Sequence, residues 1–293
     1  MENYKILITG GAGFVGSNLA MKLKLKNKIV LVDNLFNAIT DLTKIKSDLI
    51  IDDAENIEII CKKLDFTPDY VFHLGEYSRV ETSFEDIDTV LENNRRTFSR
   101  ILKFSRSINA KLIYSGSSTK FSEKTPDYIQ SPYELSKAEN VATLNWYGAL
   151  TNLKYATVYF YNVYGRNEKS YGKYSTVVAK FLKQYEDNLP LTVRLPGDQK
   201  RNFTHVEDIV DGLIRVGMQG KGDGYSIGNP KAYSIIELAN LISHNQTQLP
   251  PIKGNRVSAA IDLTKMFNLG WKPCHDLEKY IEMRKDEIDH SKR

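Results

Sequence analysis

A glycine-rich turn between a short apolar run and a helix-like segment constrains the fold of this chain more than any other feature. The apolar run KILIT at 5–9 leads directly into glycines at positions 10, 13 and 16. In a strand-turn-helix unit, Gly10 permits the tight turn, Gly13 lets a pyrophosphate approach the backbone, and Gly16 lets the helix pack close to the sheet. Amide groups at the start of the helix would then face the phosphates. The pattern predicts a dinucleotide-binding unit.

An acidic residue at the end of the second apolar run indicates which dinucleotide binds. Asp33 closes the run KIVLVD, and no Arg or Lys occurs between it and Lys44. A carboxylate there accepts a hydrogen bond from a ribose 2'-hydroxyl and would repel a 2'-phosphate. The sequence therefore predicts NAD rather than NADP. Asp52 and Asp53, after the third run, either reach the adenine side or simply form a polar strand end.

The first half of the chain alternates apolar runs with amphipathic stretches, which is typical of parallel strands joined by right-handed helical crossovers. We expect a doubly wound parallel α/β sheet of the Rossmann type. The predicted strands are 5–9, 28–33, 49–51, 70–73, 111–115 and 155–160, and the predicted helices are 14–25, 54–64, 84–107 and 132–151.

The sequence pattern changes after Gly165, where frequent glycines and prolines divide the chain into shorter segments. We expect a cofactor domain over residues 1–165 and a smaller α/β substrate domain over 166–293, with some segments crossing between the two. No long linker separates them, so a ligand cleft is expected where they meet.

Composition excludes several classes of function. The chain has 40 basic and 36 acidic side chains, a formal charge of +4 that is too small and too interspersed to indicate a nucleic acid or a membrane surface. Its two cysteines, Cys61 and Cys274, lack a metal-binding spacing. No run of eighteen apolar residues occurs and no signal peptide is evident. We expect a cytoplasmic protein without a metal site.

A tyrosine and a lysine four residues apart are the main catalytic candidates. Tyr133 and Lys137 follow Ser131 and Pro132, which are suited to begin a helix, and this spacing puts both side chains on one helix face. A free tyrosine has a pKa near 10, and a nearby ammonium favours its phenolate form, which can act as a base. Ser117 comes two residues after the fifth predicted strand, where open sheets carry functional groups. We expect its hydroxyl to hold a substrate oxygen.

These motifs together resemble the extended short-chain dehydrogenases/reductases that act on nucleotide sugars, and within them the NAD-dependent sugar epimerases and dehydratases. The resemblance covers nearly the whole chain. Its motifs are TGGAGFVG at 9–16, DYVFHLGEYSRV at 69–80, YSGSSTKF at 114–121, YELSK at 133–137, YFYNVYG at 159–165 and GDQKRNFTHVEDIV at 197–210.

The resemblance implies a role for each matching residue. Tyr133 would be the catalytic base and acid, Lys137 would bind the nicotinamide ribose and activate Tyr133, and Ser117 would be their hydroxyl partner. Asn162 would contact the nucleotide sugar and Arg201 its diphosphate. The predicted cofactor-binding residues are Gly10, Gly13, Phe14, Val15, Gly16, Asp33, Asn34, Asp52, Asp53, Leu74, Tyr133 and Lys137. The predicted substrate-binding residues are Ser117, Ser118, Asn162, Arg201, Lys253, Arg256 and Glu76.

Some of these substrate assignments have alternatives. A planar guanidinium suits Arg201 to phosphate, but it could also be an exposed arginine near a strand end. Lys253 and Arg256 either complete the anion pocket or are solvated. Glu76 stands where the family commonly has alanine, and it either touches the sugar, as Arg79 could, or is a surface carboxylate in a loop.

A departure from the family pattern bears on the reaction. Dehydratases and decarboxylases of this kind usually carry an acidic residue one or two positions after the catalytic hydroxyl, whereas Ser117 is followed by Ser118 and Thr119. An elimination needs a second acid/base, while oxidation and re-reduction at one carbon needs only one.

We therefore expect a 4-epimerase of a nucleoside-diphosphate hexose, of the UDP-glucose/UDP-galactose type or its N-acetyl analogue. The alternatives are a dehydrogenase, reductase or dehydratase of the same superfamily, and a non-catalytic NAD-binding sensor. By analogy with the family, the helices at 84–107 and 132–151 would form a homodimer interface.

Overall fold

The structure is a computed structural model that describes residues 1–39, 41–118, 131–172, 174–251 and 261–292. Its strands are β1 (Lys5–Thr9), β2 (Lys28–Asp33), β3 (Leu49–Ile51), β4 (Tyr70–His73), β5 (Lys111–Ser117), β6 (Tyr155–Phe160), β7 (Val163–Tyr164), β8 (Leu191–Arg194), β9 (Lys200–Asn202), β10 (Thr204–His205), β11 (Gly222–Ile227), β12 (Ala232–Ser234) and β13 (Gln246–Leu249). Its helices are α1 (Phe14–Leu23), α2 (Ile57–Lys63), α3 (Ile87–Ser107), α4 (Pro132–Leu150), α5 (Val177–Glu186), α6 (Val206–Gln219), α7 (Ile235–Ile242), α8 (Thr264–Asn268) and α9 (Leu277–Ser291).

A seven-stranded sheet forms the centre of the molecule, in the order β11-β6-β5-β4-β1-β2-β3. Every neighbouring pair is parallel. The predicted α/β fold with a doubly wound parallel sheet is confirmed. The six predicted strands form, and β5 extends two residues beyond its predicted end, to Ser117. The strand order reverses direction between β1 and β4, and ligands of such sheets bind at this switch point, beyond the carboxyl ends of the strands.

The strands read as apolar runs because helices cover both faces of the sheet. Alternate side chains of β1 enter two separate cores: Ile6 and Ile8 pack on the side of α1 and α6, and Leu7 packs on the side of α2, α3 and α4. All three are fully buried. This two-sided burial fixes the register of the strands, and with it the positions of the loops at their carboxyl ends.

Residues beyond Gly165 complete the large sheet. β11 pairs with β6, and α6 packs against α1. The indole of Trp271 is fully buried and donates a hydrogen bond to the Asp208 carbonyl, 3.0 Å away. The chain thus returns to the first core after residue 205.

A smaller core lies beside the sheet. Helices α5, α7 and α9 enclose it, together with short strand pairs β13-β8, β12-β9 and β10-β7. α7 begins with a capping box in which the Ser234 hydroxyl accepts from the Glu237 amide and the Glu237 carboxylate accepts from the Ser234 amide. This part positions β9, which carries Arg201, opposite the carboxyl edge of the large sheet. Within the described ranges, no helix is long and apolar enough to cross a membrane.

Candidate active site

The glycine-rich turn adopts a shape that side chains would prevent. Gly10 has φ +69°, and a Cβ on it would lie 2.7 Å from the backbone of Gly75. A Cβ on Gly16 would lie 2.1 Å from the Gly10 carbonyl oxygen, so α1 starts directly against the turn. Gly13 is the N-cap of α1. The turn therefore presents bare backbone at a helix N-terminus, as a pyrophosphate site requires.

Asp33 is joined to this turn by hydrogen bonds. Its carboxylate accepts from the Ala12 amide at 3.0 Å and from the Leu35 amide at 2.7 Å. Burial raises the pKa of Asp33, and these backbone donors oppose the rise. The Asn34 amide donates to Asp53 at 2.8 Å, which ties the end of β2 to the loop after β3. The cradle and the carboxylate fit an NAD molecule whose ribose lies at the end of β2.

One cavity of about 1120 Å³ collects most of the predicted site. It runs along the carboxyl edge of the sheet and is large enough for a dinucleotide and a second ligand. Predicted residues that line it are Gly10, Gly13, Phe14, Val15, Gly16, Asp33, Asn34, Asp53, Leu74, Glu76, Ser117, Ser118, Tyr133, Lys137, Asn162 and Arg201. Asp52 is not among the lining residues, and its carboxylate accepts from the Asp53 amide and from Asn56 instead. Lys253 and Arg256 lie outside the described residues.

The start of α4 positions the tyrosine and lysine. The Ser131 hydroxyl caps the helix by accepting from the Glu134 amide at 3.2 Å, and Pro132 occupies the first turn. Tyr133 therefore lies on the first turn and Lys137 one turn later, on the same face. Lys137 is buried, and its Nζ donates to the Ser115 carbonyl at 2.6 Å. The fixed end of β5 thus orients the lysine.

Glu76 contacts Lys137 and is deeply buried, with its side chain 1% exposed. One of its oxygens is 2.5 Å from Lys137 Nζ and accepts from the Tyr114 hydroxyl at 2.9 Å. The other accepts from the Asn140 amide at 3.1 Å and is 3.3 Å from His73 Nε2. The prediction of a surface carboxylate is therefore wrong.

The surroundings of Glu76 keep it ionised. Burial alone would raise the pKa of Glu76, but the charge of Lys137, the neighbouring His73 ring and the hydrogen bond from Lys137 outweigh it and lower that pKa to about 2. No local sequence pattern signals this contact, because Glu76 and Lys137 are on different elements and no periodicity relates them.

The far end of the cavity is basic. Arg79, Lys169, Lys180 and Arg194 line it together with Arg201. The Arg194 guanidinium donates to the Pro250 carbonyl at 3.2 Å, and Arg201 donates to the Lys200 carbonyl at 2.9 Å. Such a concentration of cations suits a diphosphate. Sequence analysis identified Arg201 here and missed Lys169, Lys180 and Arg194.

Asn162 and Glu168 also lie at this end. Asn162 has φ +32°, and its side-chain amide donates to the Asn202 carbonyl at 3.0 Å, which connects the turn after β6 to β9. Glu168 was not predicted. Its carboxyl accepts from the Gly165 amide at 3.3 Å and from the Thr176 hydroxyl. Burial raises the pKa of Glu168 to about 7 against these hydrogen bonds.

The sequence model of the NAD dependent epimerase/dehydratase family matches residues 6–228, and the chain belongs to this family. Its cofactor is therefore NAD, which agrees with the cradle and Asp33.

Individual relatives are similar over almost the whole chain. A putative UDP-glucose 4-epimerase of Methanocaldococcus jannaschii is 27% identical, covering 94% of this chain and 96% of the relative. UDP-glucuronic acid decarboxylase 5 of Arabidopsis thaliana is also 27% identical, covering 98% and 90%. The crystal structure of UDP-glucose 4-epimerase from Thermotoga maritima with UDP-glucose superimposes with a TM-score of 0.88 at 24% identity, covering 99% of this chain and 100% of that one. The names of these relatives cover different reactions, so the choice between reactions rests on the residues of the cavity.

Proposed function

We propose that this protein is an NAD-dependent 4-epimerase of a nucleoside-diphosphate hexose, of the UDP-glucose/UDP-galactose type or its N-acetyl analogue. The observation that carries the proposal is the content of one cavity. It brings Ser117, Tyr133 and Lys137 together with the glycine-rich turn at one end and a basic surface that includes Arg201 at the other. A nucleotide sugar has the complementary layout, since a neutral hydroxylated ring is joined to a dianionic diphosphate.

The residues of the chain divide the work of the reaction. Tyr133, as the phenolate, removes the proton of the 4'-hydroxyl and later returns it. The Ser117 hydroxyl holds the same sugar oxygen, and Lys137 supplies positive charge next to the base. Bound NAD supplies a hydride acceptor at C4' that is regenerated within each turnover, so there is no net oxidation.

Epimerisation also requires that the keto sugar be reduced on its opposite face without leaving the protein. The cations at the far end of the cavity would hold the diphosphate while the sugar turns, and Arg201 is placed among them on β9. The open volume beside Ser117 and Tyr133 gives the ring room to turn. Firm binding at the diphosphate and looser binding at the sugar therefore favour inversion.

The acidic residues of the cavity bear on the choice between epimerisation and elimination. Positions 118 and 119 hold Ser118 and Thr119, where related dehydratases and decarboxylases usually carry an acid. Glu76 is ionised and paired with Lys137, so it has no proton to donate near neutral pH. The residues next to Tyr133 therefore support a reaction with one acid/base.

A second candidate function, a 4,6-dehydratase, is favoured by one observation. Glu168 lines the cavity, and burial raises its pKa to about 7, which is suited to general acid catalysis. Its oxygens are already engaged by Gly165 and Thr176, which favours a structural role in the loop after β7.

The proposal is tested by incubating the purified protein with UDP-glucose and with UDP-N-acetylglucosamine without added cofactor. We expect the 4-epimer, detected by chromatography, with no steady change in nicotinamide absorbance. Tyr133→Phe is the matched control and should remove the activity. A 4-keto-6-deoxy product would support the dehydratase, a steady accumulation of NADH would support a dehydrogenase, and the absence of UDP binding in a calorimetric titration would support a non-catalytic sensor.

The proposed assembly is a homodimer formed through α3 and α4. Trp146 and Leu150 of α4 are 69% and 65% exposed, and α3 packs beside this helix. Large exposed apolar side chains on one helix face favour a contact with another subunit. Sedimentation of the wild type and of Trp146→Glu tests this: the wild type should sediment as a dimer and the variant as a monomer.

A further inference from the structure

The ammonium of Lys137 is constrained by the protein before any ligand is considered. An ammonium has three N–H donors. One points to the Ser115 carbonyl at 2.6 Å and another to Glu76 at 2.5 Å, which leaves one for a ligand in the cavity. The Nζ also lies 4.9 Å from the centre of the Tyr114 ring. The Ser115 carbonyl, the Glu76 carboxylate and the Tyr114 ring therefore together define the direction of the Lys137 ammonium.

Glu76 is equally constrained. Tyr114 and Asn140 donate to its two oxygens, and both Glu76 and Lys137 have side chains less than a tenth exposed. Neither partner can turn towards water to find another hydrogen bond. The charge of Lys137 is consequently opposed at contact distance by an anion that is held in place.

The loop that carries Glu76 is also attached to the glycine-rich turn. Gly75 lies so close to Gly10 that a Cβ on either would meet the backbone of the other within 2.7 Å. The Thr9 side-chain oxygen, directly before the turn, is 2.6 Å from His73 Nδ1, and His73 Nε2 is 3.3 Å from Glu76 at ion-pair distance. A buried polar path thus connects the nucleotide turn to Lys137.

We propose that Glu76 is the positioning residue of the catalytic lysine: it fixes the direction of the Lys137 ammonium and offsets its charge, and so sets the pH at which Tyr133 becomes a base. The inference rests on the proposed roles of Tyr133 and Lys137. It assigns to Glu76 an action through Lys137 rather than the sugar contact considered from the sequence.

The sign of the effect follows from the charges around the tyrosine. Among the described residues, the titratable groups around Lys137 are Glu76 in the loop after β4 and Tyr114 on β5, with His73 of β4 next to Glu76; Tyr133 lies near Tyr114, and Glu134 is buried on the same turn of α4. An anion next to Lys137 reduces the attraction of the ammonium for a phenolate. Removing the anion should therefore make Tyr133 ionise at lower pH, by about 1 pH unit for one neighbouring charge.

Ultraviolet titration of the protein without sugar tests this directly. The phenolate absorbance of Tyr133 is obtained by subtracting the titration of Tyr133→Phe, which removes the contribution of the other tyrosines. The same subtraction in a Glu76→Gln background should give a curve displaced by about 1 pH unit towards acid. The matched control is Glu139→Gln, which removes one negative charge from α4, where Glu139 forms a surface pair with Arg95 of α3, and it should not displace the curve. An unchanged Tyr133 curve in Glu76→Gln, with lower thermal stability, would reduce Glu76 to a structural residue and overturn the proposal.

A second variant keeps the proposal testable if Glu76→Gln does not fold. Glu76→Asp retains the buried charge but shortens the reach to Lys137, so kcat should fall about tenfold at unchanged KM, because the ammonium is displaced. An unchanged kcat would refute positioning. If no nucleotide sugar is converted but the tyrosine curve shifts as stated, the proposed function fails and the inference stands. If a nucleotide sugar is converted but the curve does not shift, the proposed function stands and the inference fails.

Discussion

Two neighbouring glycines of the nucleotide turn should respond differently to the same substitution. Gly16→Ala places a Cβ 2.1 Å from the Gly10 carbonyl oxygen, and ordinary contact begins at 3.4 Å. Gly13→Ala places a Cβ 3.1 Å from the same oxygen, and Gly13 already has an allowed φ of −74°. Gly16→Ala should therefore disturb the packing of the protein, whereas Gly13→Ala should mainly occupy the space that the pyrophosphate needs.

The magnitudes follow from these distances. In Gly16→Ala, α1 must withdraw from the turn by more than an ångström, and overpacking against backbone costs up to about 3 kcal/mol. Alanine within a helix regains about 1 kcal/mol relative to glycine. The net loss of about 2 kcal/mol corresponds to a fall in Tm of about 3 °C, given an unfolding entropy of about 2.1 cal/mol/K per residue. Gly13→Ala needs a displacement of a few tenths of an ångström and replaces a favourable N-cap residue with a poor one, at roughly 0.5 kcal/mol.

The assay combines thermal unfolding of the cofactor-stripped protein with calorimetric titration of NAD. Gly16→Ala should lower Tm and weaken NAD binding. Gly13→Ala should leave Tm within about 1 °C of the wild type while raising the Kd for NAD at least about tenfold, a loss of about 1.4 kcal/mol. Wild-type affinity for NAD in Gly13→Ala would refute the assignment of the pyrophosphate to this turn. An unchanged Tm in Gly16→Ala would refute the close packing of α1 on Gly10.

Three further predictions follow from the site and its support. Tyr133→Phe should lower kcat by about 10³-fold with little change in KM, because it removes the proton acceptor without altering the diphosphate end; single-turnover kinetics check this. Glu168 has a folded pKa of about 7, above its ordinary value of 4.5, so its contribution to stability is complete below pH 4.5 and is lost as the pH rises through 7. The free energy of unfolding of Glu168→Gln, measured by urea denaturation, should therefore rise by about 3 kcal/mol relative to that of the wild type between pH 4 and pH 8. The same difference between the two proteins at both pH values would contradict this prediction. Asp208→Ala leaves the Cys274 and His275 amides without their acceptor and should cost about 3 kcal/mol, whereas a loss below about 1 kcal/mol would show that water replaces the carboxylate.

The sequence was sufficient to predict most of the large sheet. The side chains of β1, β2, β4, β5 and β6 are mostly buried, so each of these strands contains an apolar run; β3, at the edge of the sheet, is a run of three apolar residues that is only partly buried. The seventh strand, β11, was not predicted because GDGYSI contains two glycines and no apolar run. It is held by pairing with β6, with a shift of register between Gly222 and Tyr225. Long-range pairing therefore decides its conformation, and no local pattern reports that.

The candidate site also combines features that local sequence patterns predict with features that depend on packing between distant elements. The glycine turn and the Tyr133/Lys137 spacing are local patterns, and their chemistry could be inferred from a few neighbouring residues. The contact of Glu76 with Lys137 depends on how the loop after β4 lies against α4, and the basic end of the cavity depends on residues from several separate elements. Such arrangements are set by packing between elements, which the sequence does not display.

The buried pair of Glu76 and Lys137 is better explained by function than by stability. Removing two charges from water costs several kcal/mol each, and replacing a buried ion pair with well-packed apolar side chains is often neutral or stabilising. A fold that needed only a filled space at residue 76 would do at least as well with a small apolar side chain. Glu76 instead brings a charge that must be met by Lys137, Tyr114 and Asn140, and it places that charge against the predicted catalytic lysine. This arrangement holds the Lys137 ammonium in one orientation and partly offsets its charge. Both effects matter only if the ionisation of Tyr133 must be set within narrow limits.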